Sequence, residues 1–251
     1  MSVLQVKNLT LGGGRPKIAV PITGKTVEEI LSVAKQINHQ NADLIEWRID
    51  FFEDVLDKEK LIDVAGKLRA ELADFVILIT FRTHFEGGNM PLAESQYFEI
   101  CKNVITEKLA DLVDLEMFRK TSEIKKLTQL AHEKNVFVIM SSHDFKQTPA
   151  ITEIKRRFTM MDAYGADILK VAVMPNSAQD VLTLLAATNQ AVGRFDKPLI
   201  TMAMGDLGKV TRVAGEVFGS CLTFGTVGAA SAPGQIDSPT LREMMDALKL
   251  E

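Results

Sequence analysis

The chain of 251 residues is poor in several of the residue types that mark common protein classes. It has only two cysteines, Cys101 and Cys221, far apart and without the short spacing of a zinc or redox motif, so neither a disulfide framework nor a cysteine metal site is expected. It has no long basic run, and its net charge of −4 leaves no electrostatic footprint for nucleic acid. No stretch approaches the uninterrupted apolar length that crosses a bilayer, and the amino-terminal MSVLQVKNLTLGGGRPK lacks the apolar core of a signal peptide. These absences leave a globular protein acting on a small molecule in a reducing, cytoplasmic setting, with no nucleic-acid or membrane partner expected.

What the chain does have is a recurring unit of strand and helix. Val3 to Val6 and Leu9 to Leu11 flank Lys7-Asn8 and predict a small hairpin, and Gly12-Gly13-Gly14 lacks the lysine and Ser/Thr of a phosphate loop, so it reads as a linker. Strands are expected at Lys17 to Ile22, Asp43 to Ile49, Phe75 to Phe81, Asp111 to Leu115, Val136 to Ser141, Ala166 to Val173, Pro198 to Ala203 and Cys221 to Thr226. Helices are expected after each. Their start signals are a capping box at Thr26 to Glu29, Thr148-Pro149, Asn176 and Ser238-Pro239. Eight such units without a linker predict a (β/α)8 TIM barrel over residues 1–251 as one domain, with 1–14 a hairpin and linker; a doubly wound open sheet would need fewer strands and a switch point.

In such a barrel, chemistry gathers at the carboxyl ends of the strands. The run Ala166 to Val173 places one lysine, Lys170, among apolar residues on both strand faces. Poor solvation there favours the free amine that attacks a carbonyl, although a lysine at a strand end can also snorkel to water. His143 is the one histidine of four at a predicted strand end, next to Lys170 on the neighbouring strand, and suits proton transfer at carbon. His39 and His132 fall on polar helical stretches, and His84 stays ambiguous. Glu46 and Arg48 share the inward face of strand two, as a structural ion pair or as substrate contacts, and Asp114 and Glu116 share a face of strand four. Arg82 and Glu86 follow strand three. Glycines after strand seven could bind phosphate, while Arg212 offers a fork for a carboxylate. Ser231 to Gln235 either holds a polyhydroxylated ligand or is a plain surface loop.

Glu46-x-Arg48, Thr80-Phe81-Arg82 with Glu86-Gly87-Gly88, Ser142-His143-Asp144-Phe145, Lys170-x-Ala172-x-x-Pro175, Met204-Gly205 with Arg212, and Ser231-Ala232-Pro233-Gly234-Gln235 together closely resemble the type I 3-dehydroquinate dehydratases. Six motifs in order on successive units make the likeness specific. Thr211 departs from the serine usual in that family but keeps a hydroxyl. The resemblance implies a lyase of the shikimate pathway, acting on 3-dehydroquinate without metal or nucleotide cofactor and forming a homodimer. It implies that Lys170 forms the Schiff base, that His143 is the general acid and base, and that Glu86 orients it. It implies further that Arg212 clamps the substrate carboxylate, and that Glu46, Arg48, Arg82, Ser231 and Gln235 hold hydroxyls and close a lid. The competing readings are another Schiff-base barrel, such as a class I aldolase, and a barrel that only binds its ligand.

Overall fold

In the computed structural model, which describes residues 2–228 and 230–250, the chain opens with an antiparallel hairpin of β1 (Leu4–Val6) and β2 (Leu9–Leu11), Leu4 opposite Leu11. The alternating units then follow: β3 (Lys17–Ile22) and α1 (Val27–Ala34), β4 (Leu44–Arg48) and α2 (Lys58–Glu71), β5 (Val76–Thr80) and α3 (Glu94–Thr106), β6 (Leu112–Glu116) and α4 (Thr121–Glu133). The second half continues with β7 (Phe137–Asp144) and α5 (Ile151–Ala163), β8 (Ile168–Val173) and α6 (Ala178–Ala191), then β9 (Leu199–Ala203) with the short α7 (Lys209–Val213) and α8 (Gly215–Phe218). The last unit is β10 (Leu222–Thr226), the two-residue β11 (Ile236–Asp237) and α9 (Ser238–Ala247).

Strands β3 to β9 pair in parallel in chain order, and β10 lies beside β3. A bridge between Leu199 and Ser220, with the Cys221 N–H donating to the Leu199 carbonyl at 2.8 Å, joins β9 to the start of β10. The result is a (β/α)8 TIM barrel with an amino-terminal hairpin. Side chains alternate across each strand, so Ile45, Trp47, Ile77, Ile79, Leu169 and Val171 pack under the helices. Ala19, Leu44, Leu78, Leu112, Ile139, Ile168 and Ile200 fill the interior. Val6 and Leu11 of the hairpin join this inner layer and close its amino-terminal end. Burying a leucine such as Leu11 contributes about 1.5–3 kcal/mol. With that end plugged by apolar side chains, polar groups collect at the other.

Several helix starts lie one or two residues from their expected places, each for a local reason. Thr26 does cap α1, yet Glu29 Oε2 accepts the N–H of Lys25 at 2.7 Å instead of that of Thr26. Helix α1 ends at Ala34 because the N–H groups of Gln36 and Ile37 donate to the carbonyls of Val33 and Ala34, tightening the turn and leaving Ile37 beyond the helix but buried. Ser177, not Asn176, caps α6 in a reciprocal box with Asp180, because the Asn176 amide donates to the Lys146 carbonyl at 3.1 Å. Thr148 likewise bonds the Met174 carbonyl, and α5 begins at Ile151. Asp237 caps α9 and puts Ser238 and Pro239 in its first turn. Strand β7 runs on past Ser141 to Asp144, paired with β8 through His143 and Ala172, so His143 stands on a strand. Among the described residues, no helix is long and apolar enough to cross a membrane.

Candidate active site

Alternation in β8 turns Ile168, Lys170 and Ala172 to the interior, and Lys170 is the first polar group above the apolar layer. Its neighbours are not apolar alone, which corrects the expectation drawn from the strand. Lys170 is 3% exposed, and its Nζ donates to Asp114 Oδ2 at 3.1 Å and lies 4.8 Å from the centroid of the Phe224 ring. Asp114 is itself held on the far side: Ser141 Oγ donates to Oδ1 at 2.6 Å and Arg82 Nη2 lies 2.9 Å from the same oxygen. Burial pushes the Asp114 carboxyl up, but Arg82, Lys170 and the Ser141 hydroxyl together hold it below the usual aspartate value.

Arg82 is the hub of this polar layer. Its Nη1 donates to Glu116 Oε1 at 3.1 Å and to Ser141 Oγ at 3.0 Å. Burial opposes the guanidinium charge, and the carboxylates of Asp114, Glu116, Glu86 and Glu46 more than offset it. Beyond Arg82 a 3-10 turn, His84–Glu86, swings Glu86 into the pocket. The turn closes with Gly87 at φ 82° and with the Gly88 N–H donating to the Thr83 carbonyl at 2.8 Å. A side chain at Gly88 would overlap the Arg82 carbonyl, so glycine is required there. His84 faces outward from this turn, exposed, with Nδ1 3.4 Å from the Gly88 carbonyl.

Glu86 meets His143 across the top of the site. Glu86 Oε2 lies 2.8 Å from His143 Nδ1 and accepts the backbone N–H of His143 at 3.0 Å. The oxygen therefore fixes both the ring and the strand that carries it. Burial, with Glu116 and Asp114 nearby, pushes Glu86 up to about 8 in spite of Arg82. Burial also pulls His143 well below the ordinary histidine value, and Arg82, Lys170 and Arg48 add to that pull. The pair titrates as a unit, and in the form with the Glu86 carboxylate ionised and the imidazole proton on Nδ1, facing Oε2, the Nε2 lone pair is free to act as a base. The other histidines serve elsewhere: His39 is exposed and stacked on Phe75 at 4.2 Å, and His132 lies 3.0 Å from Asp167 at the surface.

Glu46 and Arg48 both point inward, but they do not pair with one another. Arg48 Nε and Nη2 donate to Asp50 at 2.7 and 2.9 Å, because the 3-10 turn Ile49–Phe51 brings that carboxylate back beside its own strand. Glu46 Oε1 accepts from Thr80 Oγ1 at 2.8 Å. Arg212 is fixed by its neighbour Thr211, whose hydroxyl accepts the Ala203 N–H at 2.9 Å and donates to the Gly208 carbonyl at 2.7 Å. Arg212 is 1% exposed; its Nη2 donates to the Pro233 carbonyl at 3.0 Å, while Nε and Nη1 have no partner among the described residues. Burial pulls it down from the usual arginine range to about 10. Pro233 belongs to the loop from Ser231 to Gln235, whose ends are tied by the Ser231 N–H to Gln235 Oε1 at 2.8 Å and by Gln235 Nε2 to Ser231 Oγ at 3.0 Å. The same Pro233 carbonyl accepts the Gly205 N–H, and Gly234, at φ 74°, packs where any Cβ would overlap the Gly205 carbonyl. The loop thus lies shut against Arg212.

Lys170, His143, Glu86, Glu46, Arg48, Arg82, Arg212, Ser231 and Gln235 all line one pocket of about 510 Å³. Its apolar wall comes from Phe145, Ala172, Met202, Met204, Phe224 and Ala232. Sequence reasoning singled out neither Met202 nor Phe224, although both follow from period-two alternation, Met202 two residues after the inward Ile200 and Phe224 two after Leu222. The sequence puts Asp114 on one face with Glu116 but does not show its link to Lys170. Nothing local in the sequence signals a contact between residues 56 positions apart. Both cysteines are free and buried, with the Cys221 thiol pushed up by burial to about 12.

A model of the type I 3-dehydroquinase family matches residues 18–251. The 3-dehydroquinate dehydratase of Lactiplantibacillus plantarum is 51% identical over 247 residues, which is 98% of this chain and 98% of that protein. The Bacillus subtilis 3-dehydroquinate dehydratase is 46% identical over 249 residues, 99% of this chain and 98% of that one. The structure of the type I 3-dehydroquinate dehydratase of Clostridium difficile with covalent modified comenic acid matches with a TM-score of 0.95 at 43% identity, covering 99% of this chain and 98% of that one. Sequence and fold agree along almost the full length, and the chain belongs to the type I 3-dehydroquinase family.

Proposed function

We propose that the chain is a hydro-lyase of the shikimate pathway that converts 3-dehydroquinate to 3-dehydroshikimate and water through an imine on Lys170. Arg212 takes the substrate carboxylate with its two unpartnered N–H groups. Lys170 adds to the C3 ketone, His143 passes protons to and from the oxygen, and loss of water leaves a protonated imine. Nε2 of His143 then removes a C2 proton, and the electrons of that bond move into the C=N bond to give an enamine. The enamine expels the C1 hydroxyl, which leaves as water with the proton from His143. Water hydrolyses the conjugated imine and releases product and free lysine. Glu86 steadies the histidine through these transfers, while Glu46, Arg48, Arg82, Ser231 and Gln235 hold hydroxyls and close the site.

The observation that carries this reading is the placement of a lysine, a histidine–carboxylate pair and a half-satisfied buried arginine around one pocket of about 510 Å³. Such a set suits an imine-assisted elimination from a carboxylated keto acid. The Clostridium difficile relative, whose structure is with covalent modified comenic acid, supports a reading in which covalent chemistry takes place. The test is Lys170→Ala: turnover of 3-dehydroquinate is lost while the fold is retained, and substantial activity in the folded variant would sink the proposal.

A further inference from the structure

Asp114 has a second task in this pocket, beyond neutralising its neighbours. The condensation of an ammonium with a ketone, R–NH3⁺ + O=C → R–NH⁺=C + H2O, leaves the charge on nitrogen unchanged. Two of the three N–H protons leave with the ketone oxygen as water, and one stays. Among the described residues, Lys170 Nζ has one fixed protein acceptor, Asp114 Oδ2 at 3.1 Å, and beside it the face of Phe224. Asp114 is fully buried and cannot swing away, since Ser141 Oγ and Arg82 Nη2 hold its other oxygen at 2.6 and 2.9 Å. A planar iminium has a single N–H direction, so the acceptor of that proton sets the plane of the C=N bond.

We propose that Asp114 is the positioning counter-ion of the Lys170 imine, accepting the retained N–H and fixing the imine plane so that the substrate C2 faces His143. The inference rests on the proposed imine. It assigns a function to a residue that the motifs did not single out, and it gives the Ser141 hydroxyl and Arg82 the work of holding Asp114 in place. The charged and titratable groups around this contact are Lys170 from β8, Arg82 from beyond β5, Glu116 on the same strand, and His143 from β7, on which both Arg82 and Lys170 act, with Glu46 from β4 and Glu86 from the turn after β5 acting on Arg82.

The test is trapping by cyanoborohydride, which reduces the protonated imine, with adduct on Lys170 measured by mass spectrometry across a pH series with 3-dehydroquinate. Loss of an opposite charge at hydrogen-bond distance shifts protonation by about one pH unit or more, so in Asp114→Asn the yield collapses at a midpoint at least that far below the wild type. Glu116→Gln also removes a carboxylate from Arg82 but does not touch Lys170, and its midpoint stays with the wild type. A midpoint in Asp114→Asn superimposable on the wild type, or an equal shift in both variants, overturns the assignment. If Asp114→Asn does not fold, wild-type enzyme with 15N-labelled lysine decides: an imine N–H protected from solvent exchange supports the contact, and one exchanging freely refutes it. Wild-type enzyme that gives no adduct at any pH instead refutes the imine itself.

Discussion

Replacing Arg212 with methionine separates what the fold tolerates from what the substrate requires. Burial that pulls the guanidinium down from the usual arginine range to about 10 corresponds to roughly 3 kcal/mol of unfavourable solvation. Methionine retains most of the apolar stem packing and removes the charge. It also gives up the hydrogen bond to the Pro233 carbonyl, worth about 1 kcal/mol. Without substrate, Arg212→Met is therefore more stable than the wild type by about 1–2 kcal/mol. With substrate the sign reverses: a charge-assisted contact to a carboxylate contributes about 1.5–3 kcal/mol, so KM rises roughly tenfold to a hundredfold. Urea unfolding of the empty protein and steady-state kinetics read the two effects. A variant less stable than the wild type, or one with an unchanged KM, would refute the reasoning.

The Glu86–His143 pair gives a pH signature. His143 titrates below 6.5, and a midpoint at or above that value, read from its ring proton by NMR, contradicts the geometry. Raised Glu86 alone stabilises the fold fully below 4.5 and loses that contribution as pH rises through about 8, whereas lowered His143 works the other way up to 6.5. The two oppose one another up to 6.5 and leave a fall in stability between 6.5 and about 8; Glu86→Gln removes the fall, and a slope unaltered in that variant argues against the raised Glu86 carboxyl. Gly234→Val places a side chain against the Gly205 carbonyl and holds the loop open, so KM rises and ligand no longer slows hydrogen exchange at Ser231 to Gln235; unchanged exchange would show that the loop is not a lid.

The barrel was legible because each unit repeats one pattern, a strand apolar on its helix-facing side followed by a capped amphipathic helix. Inward parity alone brings Glu46, Arg48 and Lys170 to one pocket, and their places at strand ends give the height. Cap positions slipped where a side chain had another partner available only in three dimensions, as Asn176 does in the Lys146 carbonyl. The same blindness explains the polar layer. Arg48 pairs with Asp50 rather than Glu46, and Lys170 meets Asp114, because a turn in one case and three intervening elements in the other decide the neighbours. Alternation says which way a side chain points. It does not say which charges will meet there.

The imine on Lys170 is the central claim, and intact-mass spectrometry after mixing the protein with 3-dehydroquinate and borohydride, followed by peptide mapping, tests it most directly. The account predicts a single ligand-sized adduct on the peptide that carries Lys170, absent in Lys170→Ala. No adduct on folded protein, or one on a different lysine, would contradict it.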